Sequence, residues 1–266
     1  MDGENKEWQE PPLPEQIRAE TEQPQMSEAA TLGNIFIEPG RTFEDLRRKP
    51  RFIIATLIIA LLATAYGFGL YYKLGEQGIR DFVTEQIDKS PQGGSLTGEQ
   101  KNNAINLQMT IQKVVRFAIP VFVVIGFAIM GLFYWLGAKA FGGTGNYLHA
   151  VSVAVYSSLP PTLIGMIGNF IVLAFKSVDQ IDLATSQRGL LQANLAFLFD
   201  GKSMPVLATL ISVFDLFAIW GWILAAIGLQ KTNKISSGSA WAVTIILALV
   251  GIAFRVIGAL LSGNPS

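Results

Sequence analysis

Two side chains stand out as carriers of chemistry: Asp215 and Arg255, each a charge inside a long apolar run. At the centre of a bilayer such a charge costs about 2.5–3.5 kcal/mol on insertion scales, so both need a partner or a purpose. The two runs are joined by the short segment 230–239, which predicts antiparallel neighbours. Asp215 lies 14 residues before Leu229 and Arg255 lies 15 after Ala240. At 1.5 Å per residue both sit roughly 21–23 Å from that segment. Equal depth predicts an ion pair bridging the two helices. The transport alternative is a proton or cation site at Asp215 with Arg255 as its counter-charge. A single acidic residue without a chain of further carboxylates or histidines makes a poor relay, so the structural role is favoured.

A second feature is Tyr156-Ser157-Ser158-Leu159-Pro160-Pro161, in the middle of another apolar run. Within a helix, Pro160 and Pro161 each remove an N–H and crowd the carbonyl four residues back, those of Tyr156 and Ser157. A break is expected here, with Ser157, Ser158 and Thr162 bonding some of the freed carbonyls. Broken helices build substrate sites in transporters. They also fit a long segment into a bilayer, and without a partner half-helix or an inverted repeat that plainer reading leads.

Other chemistries are poorly served. The chain has no cysteine and a single histidine, His149, which excludes disulfides, thiolate metal sites and multi-histidine zinc sites. It carries no Gly-x-Ser-x-Gly elbow, P-loop or His-Glu-x-x-His motif. Neither an enzyme nor a cofactor is expected. A formal net charge of zero removes the case for nucleic-acid binding.

The elements that must position these residues are membrane helices. Half of the 266 residues are hydrophobic and only 15% are charged, against about 25% in soluble domains. A span needs roughly 20 apolar residues. Five segments qualify: about 52–72, 117–141, 147–175, 204–229 and 240–261. The fold class is therefore all-α: a polytopic membrane protein with five transmembrane helices and short interfacial amphipathic helices.

Residues 1–30 hold eight acidic and two basic side chains with four prolines, and are expected to be a disordered cytoplasmic tail. Thr42-Phe43-Glu44-Asp45 has the form of a helix N-terminus. The short helix after it, with Arg47, Arg48, Lys49 and Arg51, is expected either to lie on anionic lipid headgroups or only to set topology. Ile79, Phe82, Val83 and Ile87 form an amphipathic stripe expected to rest on the outer membrane face. Gly189 to Phe199 reads as an interfacial or re-entrant helix, too short to cross.

Basic residues concentrate just before the first span (Arg41, Arg47, Arg48, Lys49, Arg51) and beside the segments 142–146 and 230–239 (Lys139, Lys231, Lys234). That density places the N-terminus in the cytoplasm and the C-terminus outside. The polar, acidic N-terminal thirty residues do not read as a cleavable signal, so the first span is expected to direct insertion.

Three stretches carry a resemblance: Ile37-Glu38-Pro39-Gly40-Arg41-Thr42-Phe43-Glu44-Asp45-Leu46, Phe141-Gly142-Gly143-Thr144-Gly145-Asn146-Tyr147 and Ala154-Val155-Tyr156-Ser157-Ser158-Leu159-Pro160. With five helices, the chain resembles the YIP family (the Ypt/Rab-interacting-protein membrane domain), in its prokaryotic branch, over about residues 31–262. The resemblance implies a cytoplasmic N-terminus, a five-helix domain and a short C-terminus on the other side. Eukaryotic members associate with small GTPases and act in vesicle transport and membrane shaping. Their Asp-Leu-x-Gly-Pro motif is absent: Glu44-Asp45-Leu46-Arg47-Arg48 lacks the Gly-Pro. For prokaryotic members the resemblance implies a fold and not an activity, with Pro39, Tyr156 and Pro160 structural.

The leading expectation is a non-enzymatic, multi-pass protein of the bacterial inner membrane. It acts through lipids or membrane proteins, further copies of itself included, in membrane organisation or trafficking. The alternative is a small permease or channel using the Pro160-Pro161 break and Asp215.

Overall fold

The computed structural model describes residues 23–90, 93–183, 189–201, 203–263 and 265. Eight α-helices and no strand occur among them. Two short helices come first, α1 (Glu28–Asn34) and α2 (Pro39–Arg48), followed by the long α3 (Ile53–Lys89), α4 (Gly98–Ala140) and α5 (Tyr147–Phe175). Then come the short α6 (Pro205–Ser212), α7 (Leu216–Asn233) and α8 (Ser237–Ser262). Four helices, α3, α4, α5 and α8, are each long and apolar enough to cross a bilayer; α6 and α7, bent by 46° at their junction, are long and apolar enough only as a pair, which brings the number of crossings to five when the pair is taken as one broken span.

α5 is the central rod. It packs against α3, α4 and α7, and an unbroken run from Ala150 to Ser157 is buried. Gly131 of α4 permits the closest approach: a Cβ there would lie 2.9 Å from the Cα of Val151. Contrary to the break expected at Pro160-Pro161, α5 is continuous through both prolines. Each proline sits buried in the packed face, so tertiary contacts on this helix outweigh the local penalty. Ser157 and Ser158 both donate to the carbonyl of Ala154, at 3.3 and 2.8 Å.

The break lies in the fourth segment instead. Val213, Phe214 and Asp215 interrupt it, and Asp215 takes an extended conformation as the N-cap of α7. A second interruption is Gly75, whose φ of 70° breaks α3 after its apolar part. Beyond it, the stripe of Ile79 and Val83 is buried against Ile105 of α4, with Ile87 packed at the edge. The stripe thus closes a helical hairpin with α4 and does not rest on a membrane face. The hairpin turn is a short 3₁₀ segment, Gly93–Ser95, while Pro91 and Gln92 lie outside the described residues. Gly189 to Phe199 forms no α-helix: it is an extended strap ending in one 3₁₀ turn, Leu195–Leu198. Its backbone finds partners on neighbouring helices, which relieves it of the need to coil.

One end of the bundle carries α1 and α2, and both are built in. Ser27 caps α1 by accepting from the Ala30 N–H. α2 begins at Pro39, three residues before the predicted start. Thr42 therefore lies inside the helix, its hydroxyl donating to the Glu38 carbonyl. Ile35, Phe43 and Leu46 are fully buried in the main core. Of the expected acidic tail, residues 28–30 open α1, and the N–H groups of Gln25 and Met26 donate to Asp45; residues 1–22 lie outside the described residues.

Candidate functional site

Away from α1 and α2, the strap, the break in the fourth segment, the middle of α5 and the later part of α8 line an open cavity of about 720 Å³. Both intramembrane charges, Asp215 and Arg255, line it. Asp215 owes its place to N-cap chemistry: one carboxylate oxygen accepts from the N–H of Phe217 at 2.9 Å and of Ala218 at 3.4 Å. A helix N-terminus leaves such donors free, and negative charge is favoured there. The other oxygen accepts from the Asn194 amide at 3.1 Å.

Arg255 reaches across from α8 and donates to the Ser212 hydroxyl at 2.6 Å, on the other side of the break. The bonds of Asp215 go to α7 and the strap, so the predicted ion pair with Arg255 is not formed. Equal depth brings the two side chains together only on an unbroken helix. With the break directly before Asp215, its carboxylate turns onto its own helix end.

Asparagines hold the strap over the cavity. Asn169 of α5 is buried; its amide donates to the Gly165 carbonyl at 2.9 Å while its oxygen accepts from the Leu191 N–H at 3.0 Å. The Leu190 N–H donates to the Tyr66 hydroxyl at 3.2 Å, and the Leu216 N–H to the Ala193 carbonyl at 3.1 Å. Pro161, Thr162 and Gly165 of α5 and Phe217 of α7 complete the inner wall. Pro160 is buried outside the lining, as is Tyr156, whose fully buried hydroxyl has no hydrogen-bond partner among the described residues. The lining mixes aromatic, amide, hydroxyl and charged groups in a volume typical of small-molecule sites.

The basic cluster at the opposite end divides. Arg51 and Arg48 turn onto the buried Asp45, the latter at 3.7 Å, with side chains 10% and 15% exposed. These two are thus committed to an internal ion-pair network, while Arg47 stays half-buried and Lys49 exposed. The Arg47 carbonyl accepts from His149 Nε2 at 2.9 Å. Glu44 pairs with Lys231 of α7 at 2.6 Å. That hydrogen bond, opposed by partial burial and reinforced by the Lys231, Arg48 and Arg47 charges, holds the Glu44 carboxyl below its ordinary value. Nearby, the Thr144 N–H donates to the Asn233 carbonyl at 3.0 Å. α2, the segment 141–146 and the α7–α8 turn therefore share one end.

The Asn residues that organise the cavity escaped sequence reasoning. The available signal was an amide, Asn169, within an apolar span; Asp215 itself reads as an N-cap once a break is allowed.

With this geometry in hand, comparison with known proteins places the chain. The Yip1 domain profile matches residues 33–258, which takes in α2 through most of α8. The chain belongs to the Yip1 family. Among curated proteins, this Yip1 chain is similar to Membrane protein YknW of Bacillus subtilis (strain 168): 27% identical over 244 residues, covering 89% of this chain and 93% of that one. No solved structure matches. The Yip1 match joins the buried α2 and the Asp215 cavity within one domain.

Proposed function

We propose that this Yip1-family membrane protein works without catalysis, by holding a lipid or another membrane component, and so contributes to membrane organisation or trafficking. The observation that carries this reading is the cavity itself: about 720 Å³ along the middle of α5, with Asp215 and Arg255 among its lining and exposed apolar side chains such as Phe197 and Met130 at its edge. A site with an apolar edge and few fixed polar groups suits an amphipathic molecule. The inner membrane of a bacterium is the setting this reading assigns, with α1 and α2 on the cytoplasmic side, as the basic residues around α2 and Lys231 favour. Arg47 and Lys49 are then the cations available to headgroups, with membrane proteins or further copies of the chain as other partners.

Native mass spectrometry of the full chain tests this. Retained lipid, lost when bulk is introduced by Ala218→Trp in the lining, is expected. A chain that retains no membrane molecule contradicts the reading.

A second reading, a small permease or channel, draws on the broken fourth segment with Asp215 at the half-helix terminus facing the cavity. Flux into liposomes that disappears in Asp215→Asn would favour it over the first.

A further inference from the structure

We propose that a second site, the groove where α3 and α4 leave the apolar layer, takes an anionic phospholipid, its phosphate at Arg116 and an acyl chain along Gly67 and Ile119. The groove measures about 550 Å³ and is walled chiefly by these two helices. It shares Met166 and Gly189 with the Asp215 cavity and does not depend on that cavity being occupied. Its level in the membrane follows from the sequence. The apolar run of α3 ends at Tyr71-Tyr72-Lys73, and that of α4 begins after Lys113 and Arg116. Arg116 meets Tyr71 directly, its Cζ 3.6 Å from the ring centroid. Both therefore lie where apolar side chains give way to charged ones, on the side of the membrane away from α1 and α2. Lipid headgroups occupy that level.

The contact with Tyr71 settles how Arg116 is presented. A guanidinium standing edge-on would drive its nitrogens toward the ring, as much as about 1.3 Å closer than Cζ, one C–N bond length. That is inside van der Waals contact, so the planar group lies face-on. Its N–H donors then radiate in their own plane. Among the described residues Arg116 makes no hydrogen bond or ion pair, which leaves this fork to a phosphate, the group it matches in geometry. Gln112, one turn earlier on α4, and Gln86 also line the groove and add amide donors. Arg116 is the one charged side chain among the described lining, and no carboxylate joins it. Asp81, Glu85 and Asp88 of the hairpin lie outside the lining and are bonded to Gln77, Lys89 and Lys101. A lipid of net negative charge matches such a site, whereas the cation of a zwitterionic headgroup finds no carboxylate in it. Deeper in the layer the lining turns apolar, with Ala63 and Gly67 of α3, Ile119 of α4 and Met166 of α5. Gly67 brings the helices close there, since a Cβ on it would lie 2.7 Å from Ile119 Cδ1. A change from polar to apolar along one groove is the pattern of a phospholipid, not of a soluble phosphate.

The test places the full chain in phosphatidylcholine vesicles containing a small fraction of phosphatidylglycerol with a diazirine in its acyl chain, and maps the photolabelled peptides. Labelling within 63–71 and 112–119 is expected, at least threefold above that from phosphatidylcholine carrying the same diazirine. Arg116→Gln should lower it at least threefold, with partial recovery in Arg116→Lys. Lys113→Gln removes an exposed charge outside the lining and should leave the labelling unchanged. Equal labelling of these segments by the two lipids, a comparison that needs no variant, overturns the proposal. So does an equal loss in Arg116→Gln and Lys113→Gln, which would show interfacial charge acting alone. Displacement of the lipid by soluble glycerol phosphate would also overturn it, by making the occupant a soluble phosphate.

Discussion

Asp215 and Arg255 line one cavity yet bind different partners: the carboxylate holds the first turn of α7 and the Asn194 amide, while the guanidinium lies 2.6 Å from the Ser212 hydroxyl. The break between Ser212 and α7 separates them, so both line the cavity without pairing to each other. At the other end of α7, Lys231 pairs with Glu44. One helix of 18 residues, about 27 Å long, thus connects the cavity with α2.

The capping role of Asp215 sets the first expectation. Asp215→Ala removes the acceptor for two N–H groups and should destabilise the protein by about 1 kcal/mol, whereas Asp215→Asn stays near the parent. Thermal unfolding in detergent measures both. Equal melting temperatures for parent and Asp215→Ala would show that the cap contributes nothing.

Asp45 is the acceptor of a buried network. Its removal leaves the Arg51 and Arg48 charges uncompensated, and breaking a buried pair from one side costs about 3–5 kcal/mol. Asp45→Ala should therefore lower stability severely and expose residues 23–51 to protease. Arg41 and Glu38 form an exposed pair, so Arg41→Ala should change stability by less than about 1 kcal/mol. Similar losses in the two variants would contradict the buried role of Asp45.

Glycines offer a paired comparison. A Cβ on Gly145 would approach the Asn233 backbone Cα to 3.0 Å, whereas Gly40 has open space around it. Gly145→Ala should destabilise by about 1–3 kcal/mol through overpacking. Gly40→Ala, within α2, should be neutral or stabilise by up to about 1 kcal/mol. Unfolding midpoints of the two variants, measured together, decide this; stabilisation by Gly145→Ala would refute the packing described.

The Glu44–Lys231 pair predicts a pH effect with a definite sign. Because the folded state lowers the Glu44 pKa, its stabilisation is fully present above the unfolded value, about 4.3. It is lost as pH falls through the folded value. Both side chains are about two-fifths exposed, so solvent screening limits the effect to under about 1 kcal/mol. Lys231→Gln should flatten stability over that acidic window, and an unchanged pH profile in the variant would count against the pair.

The spans were largely legible because hydrocarbon imposes them: the segment predicted at 147–175 coincides with α5. Two positions were misread for one reason. Pro160-Pro161 looks like a break by local sterics, but the buried face of α5 keeps both prolines within one continuous helix; Asp215 looks like a charge in mid-helix, but it caps α7, with Val213 buried on the far side of the break and Phe214 turned outward. Phe214 beside it is 71% exposed. Local chemistry decides where packing is loose and yields where packing is dense. The same rule accounts for Phe43 and Leu46, whose short amphipathic pattern cannot distinguish a lipid surface from the protein core that buries them.

The most direct test of this architecture uses the absence of cysteine in the sequence. Single cysteines at Ser95, Thr144, Phe197, Phe214 and Ser236, all exposed, are challenged in intact cells with a thiol reagent that does not cross membranes. Positions 95 and 197 are expected to react from the outside, 144 and 236 only after permeabilisation, and 214, at the break beside the cavity, from the outside and more slowly. Reaction of 144 from the outside, or of 197 only after permeabilisation, would contradict the five crossings and the placement of the cavity away from the N-terminal helices.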